Sequence, residues 1–399
     1  MKEPSLPKRF MQTLAICGLL WAAAWFWPVA ESGASTVSKT VTLQLAAWKG
    51  QASIPLEIQG DWRVTNQQGN EILTGSHFKG RLSLDSAGAN LGAWALPLSS
   101  FAIRPRGNHA LRIGDRWYDG VLQVVLQSDQ KTRLPSAFDL RLEIPLEDYV
   151  VGVLCGEMAT STSGTAEALQ AQAIASRTYA LWRLSKGRDF LRDDTTDQRY
   201  LGSDYHTKAA QNAVHATRDI VLTWQGDLLP AYFHADCAGH TVDAFDVDFV
   251  RKATPPLAGV PDPNCATRGQ WSNHISASAL DAIAANRGVG EWVQRVEAAR
   301  RDGVGRWMQA RITGNQGMLV LNADHLRTSF GTPSACWTEA EVMADGSFEL
   351  RGRGYGHGVG MCQRGARDRA RSGQSHIEIL AHYYPGAAIE SWLGLSQAR

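Results

Sequence analysis

Three stretches of the chain carry side chains suited to catalysis or ligand binding, and the first contains Glu157. This residue follows the apolar run 150–156 and precedes Met158. A carboxyl group at the end of such a run is partly desolvated, which raises its pKa and suits it to donate a proton near neutral pH. On local pattern alone, a surface glutamate at the end of a strand or helix is the better interpretation.

The second stretch is the glycine-rich segment 352–360, which contains His357. Counted from Gly354 and Gly356, the third glycine of a dinucleotide fingerprint would fall at Val359, and no Gly-Lys-Ser/Thr follows. A nucleotide-binding loop is therefore excluded. The glycines predict a backbone that turns sharply or lets another group approach closely. Taken alone, a structural turn with an incidental histidine is the better interpretation.

The third stretch combines His234, Cys237 and His240, with Cys265 downstream. Two histidines and two cysteines are the ligand set of a tetrahedral zinc site. The alternative is a Cys237–Cys265 disulfide, with the histidines as hydrogen-bonding groups. The N-terminal segment described below predicts export, and disulfides form in exported proteins. We therefore favour the disulfide and predict no metal and no other cofactor.

Other classes of chemistry have little support. No Gly-x-Ser-x-Gly elbow occurs, so a serine triad is unsupported. A nucleophilic pair of Cys155 or Cys362 with His357 stays open but has no recognisable signature. The chain holds 40 Lys plus Arg against 39 Asp plus Glu, a formal net charge of +1. This balance gives no electrostatic reason to expect nucleic acid as a partner.

The first part of the chain, 41–145, is predicted to be rich in strands. Residues 41–45 alternate between apolar and polar at period two, and turn signals recur along this region. The segment 111–126 is predicted to be a hairpin that turns at Asp119-Gly120.

Helices and strands are mixed after Pro145. The most evident helix spans 166–184, with Thr165 as its cap and Gly187 after its end. We predict an irregular loop at 255–275. Further helices are predicted at 208–216, 277–286 and 361–371, and strands at 220–224, 292–312, 318–321 and 347–350.

The N-terminus resembles an export signal. Lys2, Lys8 and Arg9 precede the largely apolar run 10–30, which is long enough to cross a bilayer. We therefore predict a signal peptide or membrane anchor at 1–35, with the rest of the chain in the cell envelope outside the cytoplasm. The predicted fold class is α+β, with a β-rich region at 36–140 packed on a mixed α/β catalytic region at 141–390.

Several motifs follow one another in a recognisable order. They are 146–153 with Glu157-Met158, 167–180, Gln198-x-Tyr200-x-Gly202, 234–241, and 352–366 followed by 379–386. Together they resemble the stage II sporulation protein D family, also called the amidase-enhancer family, and the resemblance covers 41–390. The chain departs from the family pattern at Ala159, at 161–164, and at Cys362, where serine is usual.

The resemblance implies a lytic transglycosylase that cleaves the MurNAc–GlcNAc bond of peptidoglycan and leaves a 1,6-anhydro sugar. Family members on spore-forming pathways act on glycan strands stripped of peptides. By the resemblance, Glu157 is the catalytic acid. It protonates the leaving oxygen and then accepts the proton of the sugar's own C6 hydroxyl, so a second carboxylate is not compulsory. We further infer that a set of residues around it lines the sugar-binding cleft: Arg177, His240, Tyr355, Gly356, His357, Gly358 and Gln363.

Two alternatives remain open on sequence. One is a non-catalytic glycan-binding or amidase-activating protein on the same fold. The other is a hydrolysing muramidase in which Asp236 or Asp243 activates water. The implied partners are peptidoglycan strands, a cell-wall amidase and, through the N-terminal helix, the membrane.

Overall fold

A computed structural model describes residues 39–106, 111–265 and 269–393. These residues form a mixed α+β fold, as predicted. The predicted signal or anchor at 1–35 lies outside the described residues. Within the part that is described, no helix combines the length and the apolar character that a bilayer crossing requires.

The region up to Pro145 consists of strands, as the alternation of apolar residues predicts. The strand β2, for example, buries every second residue. The strands are β1 Thr40–Gln44, β2 Ser53–Ile58, β3 Trp62–Thr65, β4 Glu71–Gly75, β5 Phe78–Asp85, β6 Gly88–Leu91, β7 Trp94–Leu96, β8 Ser100–Pro105, β9 Leu111–Ile113, β10 Arg116–Tyr118, β11 Val121–Ser128 and β12 Pro135–Pro145.

Helices and short strands alternate in the remainder. They are α1 Leu146–Glu157, α2 Ala166–Ser185, β13 Leu191–Arg192, α3 Lys208–Ala216, β14 Ile220–Trp224, β15 Asp227–Leu228, β16 Phe233–His234, β17 Gln270–Ile275, α4 Ala277–Asn286, β18 Val293–Arg301, β19 Trp307–Gly314, β20 Gly317–Asn322, α5 Ala323–Phe330, β21 Trp337–Val342, β22 Phe348–Arg353, β23 Met361–Cys362, α6 Gln363–Arg371, α7 His376–Tyr383 and β24 Ala388–Ser391. The predicted loop at 255–275 is irregular only in its first part, because residues 270–275 form β17.

Two large sheets organise the strand-rich region. A seven-stranded sheet has the order β13-β1-β12-β11-β8-β3-β4, and a six-stranded sheet has the order β10-β9-β2-β5-β6-β7. Apolar side chains of both sheets and of α1, α2 and α7 belong to one hydrophobic core. These three helices therefore rest directly on the β-rich region.

The predicted hairpin turn at Asp119-Gly120 is wrong. The hairpin joins β9 to β10, and the chain then crosses at Gly120 to the other large sheet, where β11 pairs with β12. Gly120 has a φ of 110°, and a Cβ on it would overlap the carbonyl oxygen of Glu143. The glycine therefore allows the chain to pass closely from one sheet to the other. In the sequence, an Asp-Gly pair at such a crossing looks the same as one at a hairpin turn.

The central helix α2 is buried on most of its surface, because its many alanines allow neighbouring elements to pack closely. Thr165 precedes it as predicted, but its hydroxyl donates to the carbonyl oxygen of Thr162 (2.7 Å) and does not cap the helix. Arg177 of α2 is fully buried and pairs with Glu147 of α1. This ion pair fixes the two helices against each other.

Residues 270–353 form a smaller unit with its own apolar core. Its two three-stranded sheets have the orders β17-β22-β21 and β18-β19-β20. The first and last strands, β17 and β22, pair antiparallel with Gln270 opposite Arg353. The ends of this unit therefore meet, and the segments that precede and follow it are brought together.

Candidate active site

A cleft of about 550 Å³ lies where α1, α5 and the glycine-rich loop converge. Glu157 and His357 both line it. The remaining lining residues are Tyr179, Thr195, Thr196, Asp197, Tyr232, Phe233, His234, Ala235, Phe249, Arg327, Gly331, Thr332, Pro333, Tyr355, Gly356 and Gln363. Of the residues proposed from sequence, this cleft brings together Glu157, Tyr355, Gly356, His357 and Gln363.

Glu157 is the last residue of α1, where the helix dipole disfavours a negative charge. The backbone N–H of Arg199 donates to its Oε1 (2.7 Å). Burial is the largest influence and raises the pKa of Glu157, while the Arg199 N–H and the neighbouring Gln363 side chain act in the opposite direction. The site thus favours a protonated carboxyl and also provides a donor for the carboxylate.

The segment that carries Arg199 is fixed against α1 by side-chain contacts on both sides of it. The Tyr149 hydroxyl donates to Oε1 of Gln198 (2.9 Å), and the Tyr200 ring stacks on that of Tyr149 with 5.9 Å between ring centroids. A Cβ on Gly156 would overlap the carbonyl oxygen of Arg199. This glycine near the end of a helix therefore allows the Arg199 backbone to reach Glu157.

The glycine-rich loop packs closely on segment 232–238, which is the group whose close approach the glycines allow. A Cβ on Gly354 would lie 2.7 Å from the carbonyl oxygen of Asp236, and one on Gly356 would lie 2.9 Å from Cβ of His234. Both glycines have positive φ, of 79° and 96°. The loop is therefore shaped by contacts that larger residues would prevent.

His357 lies among aromatic rings at the side of the cleft. Its ring centroid is 4.8 Å from that of Phe249 and 5.6 Å from that of His234. Its Nδ1 accepts a hydrogen bond from the Val359 N–H (3.0 Å). Burial and the nearby His234 lower the pKa of His357 well below its ordinary value, so the imidazole is neutral. It can contact a sugar as an uncharged ring and hydrogen-bonding group.

Three residues proposed for the cleft lie elsewhere. Arg177 is buried, where its guanidinium binds Glu147 and the carbonyl oxygen of Ile220 (3.0 Å). His240 Nδ1 lies 2.6 Å from the carbonyl oxygen of Thr241. Gly358 lies against Arg306, which fills the space where its side chain would extend. None of the three is among the residues that line the cleft.

Cys237 and Cys265 do not form the predicted disulfide, and the five cysteines within the described residues are all free. Cys362, which sequence analysis did not connect with them, joins the pair in space. Its Sγ lies 3.8 Å from Sγ of Cys265 and accepts from the N–H of Cys237 (3.3 Å). Three thiols therefore meet in place of a bonded pair.

The carboxylates of the other acidic candidates are engaged in ion pairs or hydrogen bonds. Asp197 lines the cleft but its side chain is fully buried and bound by Arg183 (2.7 Å) and Arg188 (2.9 Å). Asp236 lies 2.9 Å from Nε of Arg364, and Asp243 accepts from the N–H of a neighbouring residue. Neither Asp236 nor Asp243 lines the cleft.

The 270–353 unit contributes a wall of the cleft that the sequence does not reveal. Arg327 of α5 and the following residues Thr332 and Pro333 also line the cleft. Nε of Arg327 binds Asp324 (2.7 Å), one helical turn earlier. These residues belong to no motif, so only the tertiary structure reveals them. The backbone N–H of Arg199 could not be identified from the sequence either, because every residue except proline carries such a group.

Comparison with known proteins identifies the family. A family model described as "Stage II sporulation protein" matches residues 136–224, and a domain of unknown function matches 268–360. The stage II sporulation protein D of Bacillus amyloliquefaciens is 32% identical over 274 residues, which cover 62% of this chain and 74% of that protein. The amidase enhancer of Bacillus subtilis (strain 168) is 27% identical over 291 residues, covering 60% and 40% of the two chains. An uncharacterized protein of Brachyspira hyodysenteriae is 35% identical over 259 residues, covering 62% and 67%. The chain belongs to the stage II sporulation protein D family.

Proposed function

We propose that the protein is a peptidoglycan lytic transglycosylase of the cell envelope, with Glu157 as its acid and base. The observation that carries this proposal is the carboxyl content of the cleft. Of the described residues that line it, only Glu157 and Asp197 are acidic, and Asp197 is bound by Arg183 and Arg188. One carboxyl group is thus free to exchange a proton with a substrate.

A single carboxyl suits an intramolecular reaction. Protonated Glu157 donates its proton to the glycosidic oxygen, and the bond from that oxygen to C1 of the muramyl sugar breaks. The C6 hydroxyl oxygen then bonds to C1, and its proton passes to the Glu157 carboxylate. Atoms and charges balance without water, and the product carries a 1,6-anhydro bridge. The acid regains its proton and is ready for the next turnover.

The surroundings of Glu157 support both halves of this cycle. Burial raises its pKa, which keeps it protonated at the start. The Arg199 N–H then stabilises the carboxylate that forms when the proton leaves. Hydrolysis by the standard route requires a second carboxylate about 5–9.5 Å away to act as nucleophile or to activate water. Asp236 and Asp243 do not line the cleft, which disfavours the muramidase alternative.

The walls of the cleft suit a carbohydrate. Tyr179, Tyr232, Phe249 and Tyr355 provide aromatic faces, and Tyr355 is 63% exposed. Rings of this kind present an apolar face together with a polar edge, which matches the mixed character of a sugar ring. We propose that peptidoglycan strands bind along these rings, with the scissile bond at Glu157.

The alternative function is non-catalytic activation of a cell-wall amidase. It is favoured by one specific observation, since a relative of this chain is an amidase enhancer. Under this alternative the cleft would bind glycan strands without cleaving them. Either function implies a location in the cell envelope, in the periplasm or at the outer face of the cytoplasmic membrane, because both act on the wall.

The deciding experiment is mass analysis of products from purified, peptide-free glycan strands. We expect anhydro ends with the wild type, whereas reducing ends would indicate a muramidase and intact strands the non-catalytic alternative. Glu157→Gln keeps the shape but removes the titrating proton, so cleavage should fall by about 10²–10⁴-fold with strand binding retained. His357→Ala is the comparison and should weaken binding and cleavage together. A folded Glu157→Gln protein that still releases anhydro products at close to the wild-type rate would refute the assignment.

A further inference from the structure

Three cysteines from distant parts of the chain meet behind the cleft. Cys237 follows β16, Cys265 ends a 3-10 turn, and Cys362 ends β23. Together with a carboxylate oxygen of Asp236, their sulfur atoms all lie within 4.8 Å of one another. The three cysteines are fully buried and Asp236 is 4% exposed. Such a cluster is neither a disulfide nor an ordinary apolar contact.

The spacing of the sulfur atoms matches that of metal ligands. Zinc binds cysteine sulfur at about 2.3 Å in a tetrahedron, which places two sulfur ligands about 3.8 Å apart. Sγ of Cys265 and Sγ of Cys362 are separated by 3.8 Å. This separation is far longer than the bond of about 2.0 Å in a disulfide.

The surroundings of Cys362 favour a thiolate, which is the form that binds metal. Cys237 and Cys265 instead donate to Oδ2 of Asp262 (3.5 and 3.7 Å), so each of them would release its proton when the metal binds. Cys362 precedes α6, and its sulfur accepts from the N–H groups of Gly365 (3.4 Å) and Cys237 (3.3 Å). A helix N-terminus stabilises a negatively charged sulfur. Nε of Arg364 lies 2.9 Å from Oδ2 of Asp236 and offsets part of the remaining negative charge.

We propose that Cys237, Cys265, Cys362 and Asp236 bind one Zn²⁺ ion. The site differs from the one considered from sequence, because His240 is engaged with Thr241 and a third thiol takes part. It also depends on Cys362, a position where the family pattern has serine.

The metal would hold together the segments that form the cleft. The backbone of Asp236 pairs in both directions with that of Tyr355 (3.0 and 2.9 Å), and Cys362 precedes Gln363 beside Glu157. The site lies behind these residues and does not line the cleft. Its role is therefore structural, and metal binding is independent of whether the cleft cleaves or only binds glycan.

The test measures metal directly. The full chain is produced in a reducing compartment and purified without added metal, and zinc per chain is determined by elemental analysis. Replacement by Co²⁺ should give the strong sulfur-to-cobalt charge-transfer absorption of a thiolate site. We expect one zinc per wild-type chain, and loss of stoichiometric zinc in Cys237→Ser, Cys265→Ser and Cys362→Ser. Cys336→Ser is the matched control, since Cys336 is also buried but lies outside the cluster.

Two further measurements keep the proposal open to refutation if a cysteine variant fails to fold. Removing the metal from the wild type with a chelator should lower its melting temperature, and added Zn²⁺ should restore it. Peptide mapping without reduction should find no Cys237–Cys265 link. A wild-type chain that neither retains zinc nor develops the cobalt absorption would overturn the site. Weaker binding in His234→Gln, with Asp236→Asn unaffected, would overturn the assignment of the fourth ligand.

Discussion

Under the proposed function, Gly156→Ala should change the pH dependence of cleavage without altering the Glu157 carboxyl group itself. Gly156 precedes Glu157 in α1, and a Cβ at this position would overlap the carbonyl oxygen of Arg199. The same Arg199 residue donates its N–H to Oε1 of Glu157 (2.7 Å). Any movement that relieves the overlap therefore acts on this hydrogen bond.

The size of the effect follows from these contacts. To reach an ordinary contact, the Arg199 backbone must withdraw by about 1 Å, which lengthens the hydrogen bond beyond its useful range. Hydrogen bonds to charged groups contribute about 1.5–3 kcal/mol, so cleavage should slow by about tenfold or more. Alanine favours a helix over glycine by about 1 kcal/mol, but the forced displacement costs about 1–3 kcal/mol. We expect a protein that is destabilised by about 1 kcal/mol.

Gly156→Ala should raise the pKa of Glu157. The Arg199 N–H lowers the pKa of Glu157, so its loss raises that pKa further. Glu157 must be protonated to donate, so activity falls as pH rises through its pKa. In Gly156→Ala this fall should move to higher pH, while the maximal rate decreases because the carboxylate formed in the reaction is less stabilised.

The assay is anhydro-product release from peptide-free strands across a pH series, with urea unfolding to measure stability. Gly317→Ala is the control, because a Cβ on Gly317 meets no atom within 4 Å. It should leave the pH profile unchanged. If Gly156→Ala were more stable by about 1 kcal/mol with a wild-type pH profile, the glycine would not serve the contact with Arg199, and the reasoning would fail.

Two further predictions concern arginines. Arg177→Met should destabilise the fold by about 3 kcal/mol in urea unfolding, because it leaves Glu147 without its buried partner. The reaction products should stay the same. Unchanged stability would contradict the structural role of Arg177. Arg327 is the one Lys or Arg among the described residues that line the cleft, so Arg327→Gln, in a Glu157→Gln background, should weaken binding of strands with free lactyl carboxylates by about tenfold. Binding of strands whose carboxylates are methyl esters should be unaffected, and an equal loss on both would show that Arg327 does not recognise the carboxylate.

Helix boundaries could be predicted where local signals were sufficient. The helices at 208–216 and 277–286 were predicted to the residue. In the structure, the hydroxyls of Thr207 and Ser276 accept the N–H groups of Ala210 and Ala279 at their starts. Each signal lies within four residues of the boundary it determines. The mixed α+β class followed from the same local patterns.

Contacts between distant residues could not be predicted in this way. Cys265 and Cys362 are 97 positions apart, and the cysteine pattern gave no reason to join them. The catalytic candidate Glu157 was identified by resemblance, but its donor is a backbone N–H 42 positions away. Arg177 lies in a motif that strongly resembles the family, yet its ion pair with Glu147 holds two helices together. A matching motif can therefore reflect packing as well as chemistry.

The cleft is lined partly by residues of the 270–353 unit and partly by residues outside it. The terminal strands of this unit pair with each other at Gln270 and Arg353, so the interior of the unit can differ in length without moving the segments on either side. Those segments carry Asp236 and Tyr355, whose backbones are paired and hold the glycine-rich loop in place. Arg327, however, extends from the interior of the unit back into the cleft. Under the proposed function, the acid chemistry depends on α1 and its neighbouring loop, whereas Arg327 of the unit is expected to select among glycan strands, so a change in one property need not alter the other.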